Sequence, residues 1–363
     1  MKRALIVVAA LALLAGYSGG TTVSTSDSPW RELPVPAAGA RILDFVPLDE
    51  GVLALGSVPS GDGRAPAAWT STDGSRWHTV PVQPHSGYAL AAEFISAGRG
   101  DQVVALGQAF GGAHANPRMT IWAGGTDGLE EHPQIVEMFG GIHAIAVTAA
   151  ASREHTNLLI GAWDGPEGRY GAAIWTSTDG ATWNRRTDDP ALASAPGEQT
   201  GTSDVASSTT GFVIVGSTQR DGALHPLEWT SRDGTAWQRI ELPGTGATAT
   251  RVGCAADNCT VFGQTIGTSP HILCWPTPDA PAVTGPGAGA VETLQVMVRD
   301  QQVLAVLKLD GTAHLVSLTT NCANWQDISL PVAASNARVS VVPSGLLLAT
   351  TDKDRSRLWL HSS

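Results

Sequence analysis

The side chains with the clearest chemical potential lie in one short stretch, WDGPEGRY. It places Trp163 beside Asp164 and Glu167, and Arg169 and Tyr170 follow directly. An aromatic ring next to carboxylates suits a sugar, because the ring stacks on the apolar face of the sugar while the carboxylates accept hydrogen bonds from its hydroxyls. We predict a ligand site here. The alternative, a solvated Gly-Pro-rich loop without a ligand, also fits this composition.

A second stretch, FGGAHANPR, adds His114 and Arg118 to the candidate ligand-binding residues. His85, Tyr88 and His143 lie in segments that we expect to reach the same end of the fold as these candidates. Histidines scattered without close spacing are more often surface residues than metal ligands. The sequence also contains no phosphate-binding loop, nucleophile elbow or metal-ligand cluster, so we predict no catalytic residues, no metal and no other cofactor.

One phrase recurs three times along the chain, as WTSTDGSRWHTV, WTSTDGATWNRR and WTSRDGTAWQRI. Its shared positions are Ser71, Asp73, Gly74, Trp77, Ser177, Asp179, Gly180, Trp183, Ser231, Asp233, Gly234 and Trp237. In a tight turn the Asp carboxylate accepts main-chain N–H bonds, the Gly takes a positive φ and the Trp covers the turn. We therefore predict that the phrase has a structural role and stabilises a tight turn. The alternative is a catalytic or calcium-binding carboxylate, although a catalytic group need not recur three times.

The phrase resembles the Asp box of sialidases and other BNR-repeat propellers, Ser-x-Asp-x-Gly-x-Thr-Trp. Each copy is one residue shorter between Asp and Trp, and TTNCANW looks like a fourth copy with Cys322 in the glycine position. The resemblance implies a β-propeller. It would also imply sialidase chemistry if the chain carried an arginine trio, an Asp acid/base and a Tyr nucleophile. RELP at Arg31 is a poor match to the arginine motif, and Tyr88 and Tyr170 are the only tyrosines after the N-terminal segment.

The elements that must position these residues are strands. Seven apolar runs recur, VLALG, VVALG, LLIG, FVIVG, TVFG, VLAVL and LLLAT. Tryptophans that end the following strands stand at 69, 122, 175 and 229, which gives spacings of 53, 53 and 54. Continuous apolar runs suit strands buried on both faces, and a fixed period of this length is typical of propeller blades. We predict an all-β, seven-bladed propeller with four-stranded blades.

The two ends of the sequence complete one blade. The seventh unit stops directly after the strand that contains Trp359, whereas WRELPVP is a fourth strand with no blade before it. We predict that residues 30 to 35 pair as the outer strand of the last blade, which removes an exposed sheet edge.

The four cysteines form an even set, which suits disulfides in an exported protein. Cys254 and Cys259 flank a turn between two apolar runs, so a hairpin would bring them together. We predict this pair and a second one, Cys274 with Cys322, between neighbouring blades. Zinc is the alternative, but C-x4-C followed by single scattered cysteines is poor ligand spacing.

The N-terminus reads as an export signal. Lys2 and Arg3 precede an apolar run, and LLAGYSGG resembles a lipoprotein signal with Tyr17 where the lipidated cysteine would stand. We assign residues 1–20 to this signal, 21–27 to a short linker and 28–363 to one propeller domain. The run is too short to span a bilayer. We expect an extracellular or cell-envelope protein.

The net charge of −11 argues against nucleic-acid binding, which needs a basic face. We expect a monomer without an integral membrane segment that binds a cell-envelope glycan or protein without catalysis. The alternative function is a sialidase-like or other glycoside hydrolase, in which a pair of carboxylates would act.

Overall fold

The computed structural model describes residues 29–110, 117–165, 169–353 and 355–362. Its strands form seven sheets arranged as the blades of a β-propeller, so the predicted count and the four-stranded antiparallel blades are confirmed. Helix in these residues is limited to a 3-10 turn at Ala89–Ala91 and one α-helical turn at Val136–Phe139.

The chain enters the first three blades after a short N-terminal strand. The strands are β1 (Trp30–Leu33); in blade 1, β2 (Arg41–Pro47), β3 (Val52–Ser60), β4 (Gly63–Ser71) and β5 (His78–Val80); between blades, β6 (Val82–Gln83); in blade 2, β7 (Glu93–Arg99), β8 (Val103–Ala109), β9 (Arg118–Gly125) and β10 (Gly128–Glu131); in blade 3, β11 (Ala144–Arg153), β12 (Thr156–Asp164), β13 (Tyr170–Ser177) and β14 (Asn184–Arg186). The first strand of each blade lines the centre, and the fourth lies outermost except in blade 2, where β6 lies outside it.

The remaining four blades repeat this order. They contain, in blade 4, β15 (Glu198–Ser207), β16 (Phe212–Arg220), β17 (Ala223–Ser231) and β18 (Gln238–Glu241); in blade 5, β19 (Ala247–Ala255), β20 (Asn258–Thr265), β21 (Ile272–Trp275) and β22 (Val283–Thr284); in blade 6, β23 (Val291–Arg299), β24 (Gln302–Leu309), β25 (Thr312–Thr319) and β26 (Gln326–Ile328); and in blade 7, β27 (Asn336–Val342), β28 (Gly345–Asp352) and β29 (Arg355–His361). Each apolar run of the sequence forms the second strand of its blade.

The N-terminal strand closes the ring as predicted. β1 pairs antiparallel with β29, with Trp30 opposite His361 and Leu33 opposite Leu358. The strand ends at Leu33, two residues before the predicted limit. Trp30 and Leu33 are buried, so the closure adds apolar packing to the main-chain hydrogen bonds.

Blade 2 has a fifth strand that the sequence did not predict. β6 pairs in parallel with β10 and covers the outer edge of the blade. The buried Glu131 carboxylate holds the following segment, because it accepts bonds from the main-chain N–H groups of His85 (2.6 Å) and Ser86 (2.7 Å). An uncovered sheet edge is thereby avoided.

The glycines that end the apolar runs have a steric cause. The inner strand of blade 1 has a β-bulge between Ile42 and Asp44, and a Cβ on Gly56 opposite it would lie 2.1 Å from the Arg41 carbonyl oxygen. In blade 4 a Cβ on Gly216 would lie 2.0 Å from the Gly201 carbonyl oxygen. Only glycine permits so close a backbone approach.

The tryptophans of the third strands fill the spaces between blades. Trp175, Trp229 and Trp275 are almost completely buried. Each indole N–H donates to a carbonyl of the connection that leads into its blade, at 2.9, 2.7 and 3.0 Å respectively. The polar group of a buried tryptophan is thus satisfied, and the same bond ties each connection to the core.

Candidate functional site

The two faces of the disc differ in construction. We call the loop face the one formed by the loops between second and third strands, such as residues 221–222, and by the connections between blades, such as residues 84–92 and 132–143. We call the Asp-box face the opposite one, formed by the turns between first and second and between third and fourth strands. β1 begins beside His361 at the end of a third strand, so the start of β1 lies on the Asp-box face.

The described residues of WDGPEGRY lie on the loop face of blade 3, but they do not form an open aromatic platform. Trp163 is buried, packs edge-on against Trp175 with a centroid distance of 6.1 Å, and carries the Arg185 guanidinium 3.7 Å from its ring centre. The ring contact with Arg185 is a cation–π interaction, which occupies a face that a sugar would use.

The polar members of this stretch have protein partners. Asp164 Oδ2 lies 3.2 Å from His143 Nδ1, and Arg169 Nε donates to the Ser194 carbonyl at 3.2 Å. Tyr170 is 53% exposed and available to a ligand. Glu167 and His114 lie outside the described residues.

Arg118 lies elsewhere, at the central cavity. Its guanidinium stands over the Tyr88 ring, 5.6 Å from the centroid, and its Nε is buried without a hydrogen-bond partner among the described residues. Tyr88 is itself 49% exposed. The structure therefore separates the sequence candidates into a blade 3 group and a group at the cavity mouth.

Exposed apolar side chains concentrate on the loop face. Of the ten large apolar side chains that are exposed in the described residues, nine belong to loops, connections or strand ends on this face; they are Tyr88, Leu90, Phe110, Ile135, Val136, Ile142, Ile145, Tyr170 and Ile266. Eight of them come from the sector between the blade 1 to blade 2 connection and blade 3. A concentration of this kind is typical of a recognition surface.

The three Asp boxes form turns that are stabilised by internal hydrogen bonds. In the second box Asp179 Oδ1 accepts the N–H groups of Ala181 and Thr182 at 2.8 and 2.7 Å, while Ser177 Oγ accepts the N–H of Gly180 at 2.9 Å. Hydrogen bonds from Thr182 and Ala181 hold the pKa of Asp179 well below its usual range. The same bonds recur at Asp73 and Asp233.

The fourth copy keeps the turn and changes its chemistry. Cys322 has a φ of 60°, in the region that glycine occupies in the other copies, and the Trp325 N–H donates to its carbonyl at 3.0 Å. Cys322 lies at disulfide distance from Cys274, and Cys254 from Cys259, with S–S separations of 1.95 and 2.04 Å. Both predicted pairings are confirmed.

A cavity of ≈ 1610 Å³ runs through the centre of the disc. Each inner strand contributes one residue to the cavity wall at the same level along the channel. Each of these residues pairs with a residue at or near the end of the apolar run in the second strand. In blade order they are Asp44, Ser96, Ala149, Asp204, Arg251, Gln295 and Arg338. We call this set the channel ring. This ring was not predicted from the sequence. A signal was present in five blades, where the glycine that ends the apolar run lies opposite the β-bulge of the inner strand.

Part of the channel ring joins neighbouring blades. Ser96 Oγ, Asp204 Oδ2 and Gln295 Oε1 accept main-chain N–H bonds from the next blade, at 3.0, 3.1 and 2.8 Å respectively. Arg251 Nε donates to the Leu294 carbonyl at 3.3 Å. Such bonds stabilise the packing of blades around the centre.

The charges of the channel ring act on one another. Burial raises the pKa of Asp44 to about 6, and the nearby Arg338 charge opposes this shift. Burial also raises the pKa of Asp204, against the charge of Arg251. No ion pair within 4.0 Å joins these four residues, which all belong to the described part of the chain and line the cavity.

The described ranges contain no group of three or more residues placed to hold a metal ion. They also contain no helix with the length and apolar character needed to cross a membrane.

Comparison with known proteins identifies the fold and no family. No protein-family profile matches the sequence, and no curated protein sequence matches significantly. The solved structure of the polysaccharide lyase Uly1 superposes with a TM-score of 0.54 at 8% identity, over 94% of this chain and 93% of the lyase. The acylaminoacyl peptidase of Pyrococcus horikoshii superposes with a TM-score of 0.53 at 9% identity, over 88% of this chain and 51% of the peptidase.

A sialidase of Trypanosoma rangeli is also similar, with a TM-score of 0.44 and 13% identity, over 91% of this chain and 54% of the sialidase. This chain therefore spans about half the length of the peptidase and the sialidase. Similarity at these identities shows the propeller fold, and one fold hosts many activities.

Proposed function

We propose that this protein is an exported, non-catalytic binding module of the cell envelope that recognises a glycan or protein ligand with its loop face. The observation that carries the proposal is the concentration of exposed apolar side chains on that face, nine of the ten in the described residues. Aromatic members such as Tyr88 and Tyr170 supply large contact areas with a polar end, which suits either ligand.

The position of the N-terminus supports this orientation. β1 begins on the Asp-box face, so a chain tethered through the residues before β1 would direct its loop face away from the attachment point. The turns of the Asp-box face are polar and held by internal hydrogen bonds, as at Asp73, Asp179 and Asp233. Recognition and attachment would thus use opposite sides of the disc.

Two further features favour binding over hydrolysis. The Asp-box carboxylates already accept main-chain N–H bonds, and Asp164 is paired with His143. Most glycosidases use two carboxylates placed across a bond, one as acid and one as nucleophile or base, and sialidases use a Tyr nucleophile instead. No such pair can be assigned among the sequence candidates.

The test uses the purified full chain on a glycan array and on immobilised envelope proteins. A Tyr88→Ser, Tyr170→Ser double variant should lose the binding that the parent shows, whereas Val283→Ser, an exposed apolar residue on an outer strand, should keep it. Binding that is unaffected by the double variant would contradict the loop-face assignment. Cleavage of a sialoside or another glycoside would contradict the absence of catalysis.

A further inference from the structure

The channel ring contains two arginines and two aspartates. Around the channel ring, Arg251, Gln295 and Arg338 occupy the adjacent blades 5, 6 and 7, and a carboxylate follows at each end of this arc, Asp204 in blade 4 and Asp44 in blade 1. The arc therefore presents donors at its centre and acceptors at both ends.

The arginines keep donors for a ligand. Arg251 uses Nε and Nη1 on main-chain carbonyls, and Arg338 uses Nη1 on Asn336 Oδ1 and on the Ala337 carbonyl, both at 2.9 Å. The other guanidinium nitrogens have no hydrogen-bond partner among the described residues, and both side chains line the cavity. Guanidinium groups of this kind bind carboxylates with short, charge-assisted hydrogen bonds.

The opposite side of the cavity is more apolar, although blade 2 also places Ser96 and Arg118 there. Blades 2 and 3 contribute Ile95, Ala97, Ile145 and Ala149 to the wall, and Ile145 is 47% exposed. At this side the channel ring has its one apolar member, Ala149. A ligand that contacts both sides of the cavity therefore needs an apolar part opposite its charged part.

We propose that the central cavity binds a small zwitterion with a carboxylate, an ammonium group and an apolar side chain, that is, an apolar amino acid or a short apolar peptide. The carboxylate lies between Arg251 and Arg338, the ammonium group donates to Asp44 or Asp204, and the side chain contacts blades 2 and 3. A simple anion would meet the two flanking carboxylates, and a simple cation would meet the two arginines. Only a ligand with both charges matches both signs.

The test measures binding of L-leucine and of the dipeptide Leu-Leu to the full chain by isothermal titration calorimetry. N-acetylleucine lacks the ammonium group and leucine amide lacks the carboxylate. At least one zwitterion should bind, and each singly charged analogue of leucine should bind at least about tenfold more weakly, the loss expected for a charge-assisted hydrogen bond. The comparison of leucine with Leu-Leu distinguishes the two sources of this chemistry.

Variants separate binding from folding. Arg338→Gln should weaken zwitterion binding at least about tenfold while melting normally, because the hydrogen bonds of Arg338 stay within its own strand. Ser344→Ala removes an inter-blade bond on the Asp-box face, away from the cavity, and should bind normally. Asp44→Asn should weaken binding of the zwitterion and not of N-acetylleucine, and it replaces Arg338→Gln if that variant does not fold.

Three results would overturn the proposal: no binding of either zwitterion up to ~10 mM, equal binding of the singly charged analogues, or normal binding by Arg338→Gln. The loop-face variants leave the channel ring intact. The proposed function and this inference therefore fail independently.

Discussion

At the scale of single residues, position in the blade decides what a carboxylate does. Asp179 in an exposed turn accepts two main-chain N–H bonds, so its charged form is stabilised. Glu228 in the third strand of blade 4 is buried between blades, so its charged form is destabilised and its pKa is raised to about 7. The same functional group thus has opposite effects on stability at neutral pH.

Asp179→Ala should destabilise the fold by about 1–2 kcal/mol at pH 7, at the lower end for charged hydrogen bonds because water can replace the carboxylate in an exposed turn. The pKa of Asp179 is lowered in the folded state. Its contribution is therefore present above the unfolded pKa of about 4 and lost as the pH falls through the folded pKa. Urea unfolding at pH 7 and pH 3 measures this, with Asp127→Ala in the corresponding turn of blade 2 as control. Unchanged stability with lost ligand binding would reassign Asp179 to function.

Glu228→Gln should stabilise the protein at pH 8 and have little effect at pH 5. The folded pKa of about 7 lies above the ordinary glutamate pKa of 4.5, so protonation favours the folded state, and stability is lost as the pH rises through 7. The gain at pH 8 should reach up to about 3 kcal/mol, since one pKa unit corresponds to 1.36 kcal/mol. Melting curves at both pH values provide the measurement. Glu50→Gln, on an exposed turn, should change neither curve, and an equal gain at both pH values for Glu228→Gln would refute the explanation.

At the scale of strands and turns, the sequence was most informative where one residue type repeats for one steric reason. The apolar runs, the tryptophans and the Asp boxes each mark one strand or turn, which is why seven blades, the ring closure and both cysteine pairs could be predicted. β6 was missed because its two residues, Val82 and Gln83, carry no periodic signal. Its position depends on the bare edge of β10, which is a tertiary property.

The candidate site was predicted less well, and for a physical reason. Trp163 looked like an exposed platform because it follows a strand in a polar stretch, yet the packing of Trp175 and Arg185 encloses it. The channel ring escaped notice because its members stand in different sequence contexts, and only the register across seven blades brings them to one level. The composition of a single loop indicates neither the burial of Trp163 nor the register that forms the channel ring.

At the scale of the whole molecule, closure of the ring joins the two ends of the chain. β1 supplies the outer strand of blade 7, and Leu33 packs with Leu347 and Leu358 in the core shared with blade 1. Every blade is then flanked by two others, and an opened ring would expose the inner faces of blades 1 and 7 together.

Leu33→Ala should therefore destabilise the protein by about 2–5 kcal/mol, the range for truncating a buried leucine, because Leu33 is only 4% exposed. Arg31→Ala, on the exposed side of the same strand, should stay within about 0.5 kcal/mol of the parent. Urea unfolding gives both values, and limited proteolysis should cut the N-terminal strand faster in Leu33→Ala alone. If both variants unfold like the parent, β1 does not hold the ring closed, and the remaining strands of blade 7 must pack on blade 1 without it.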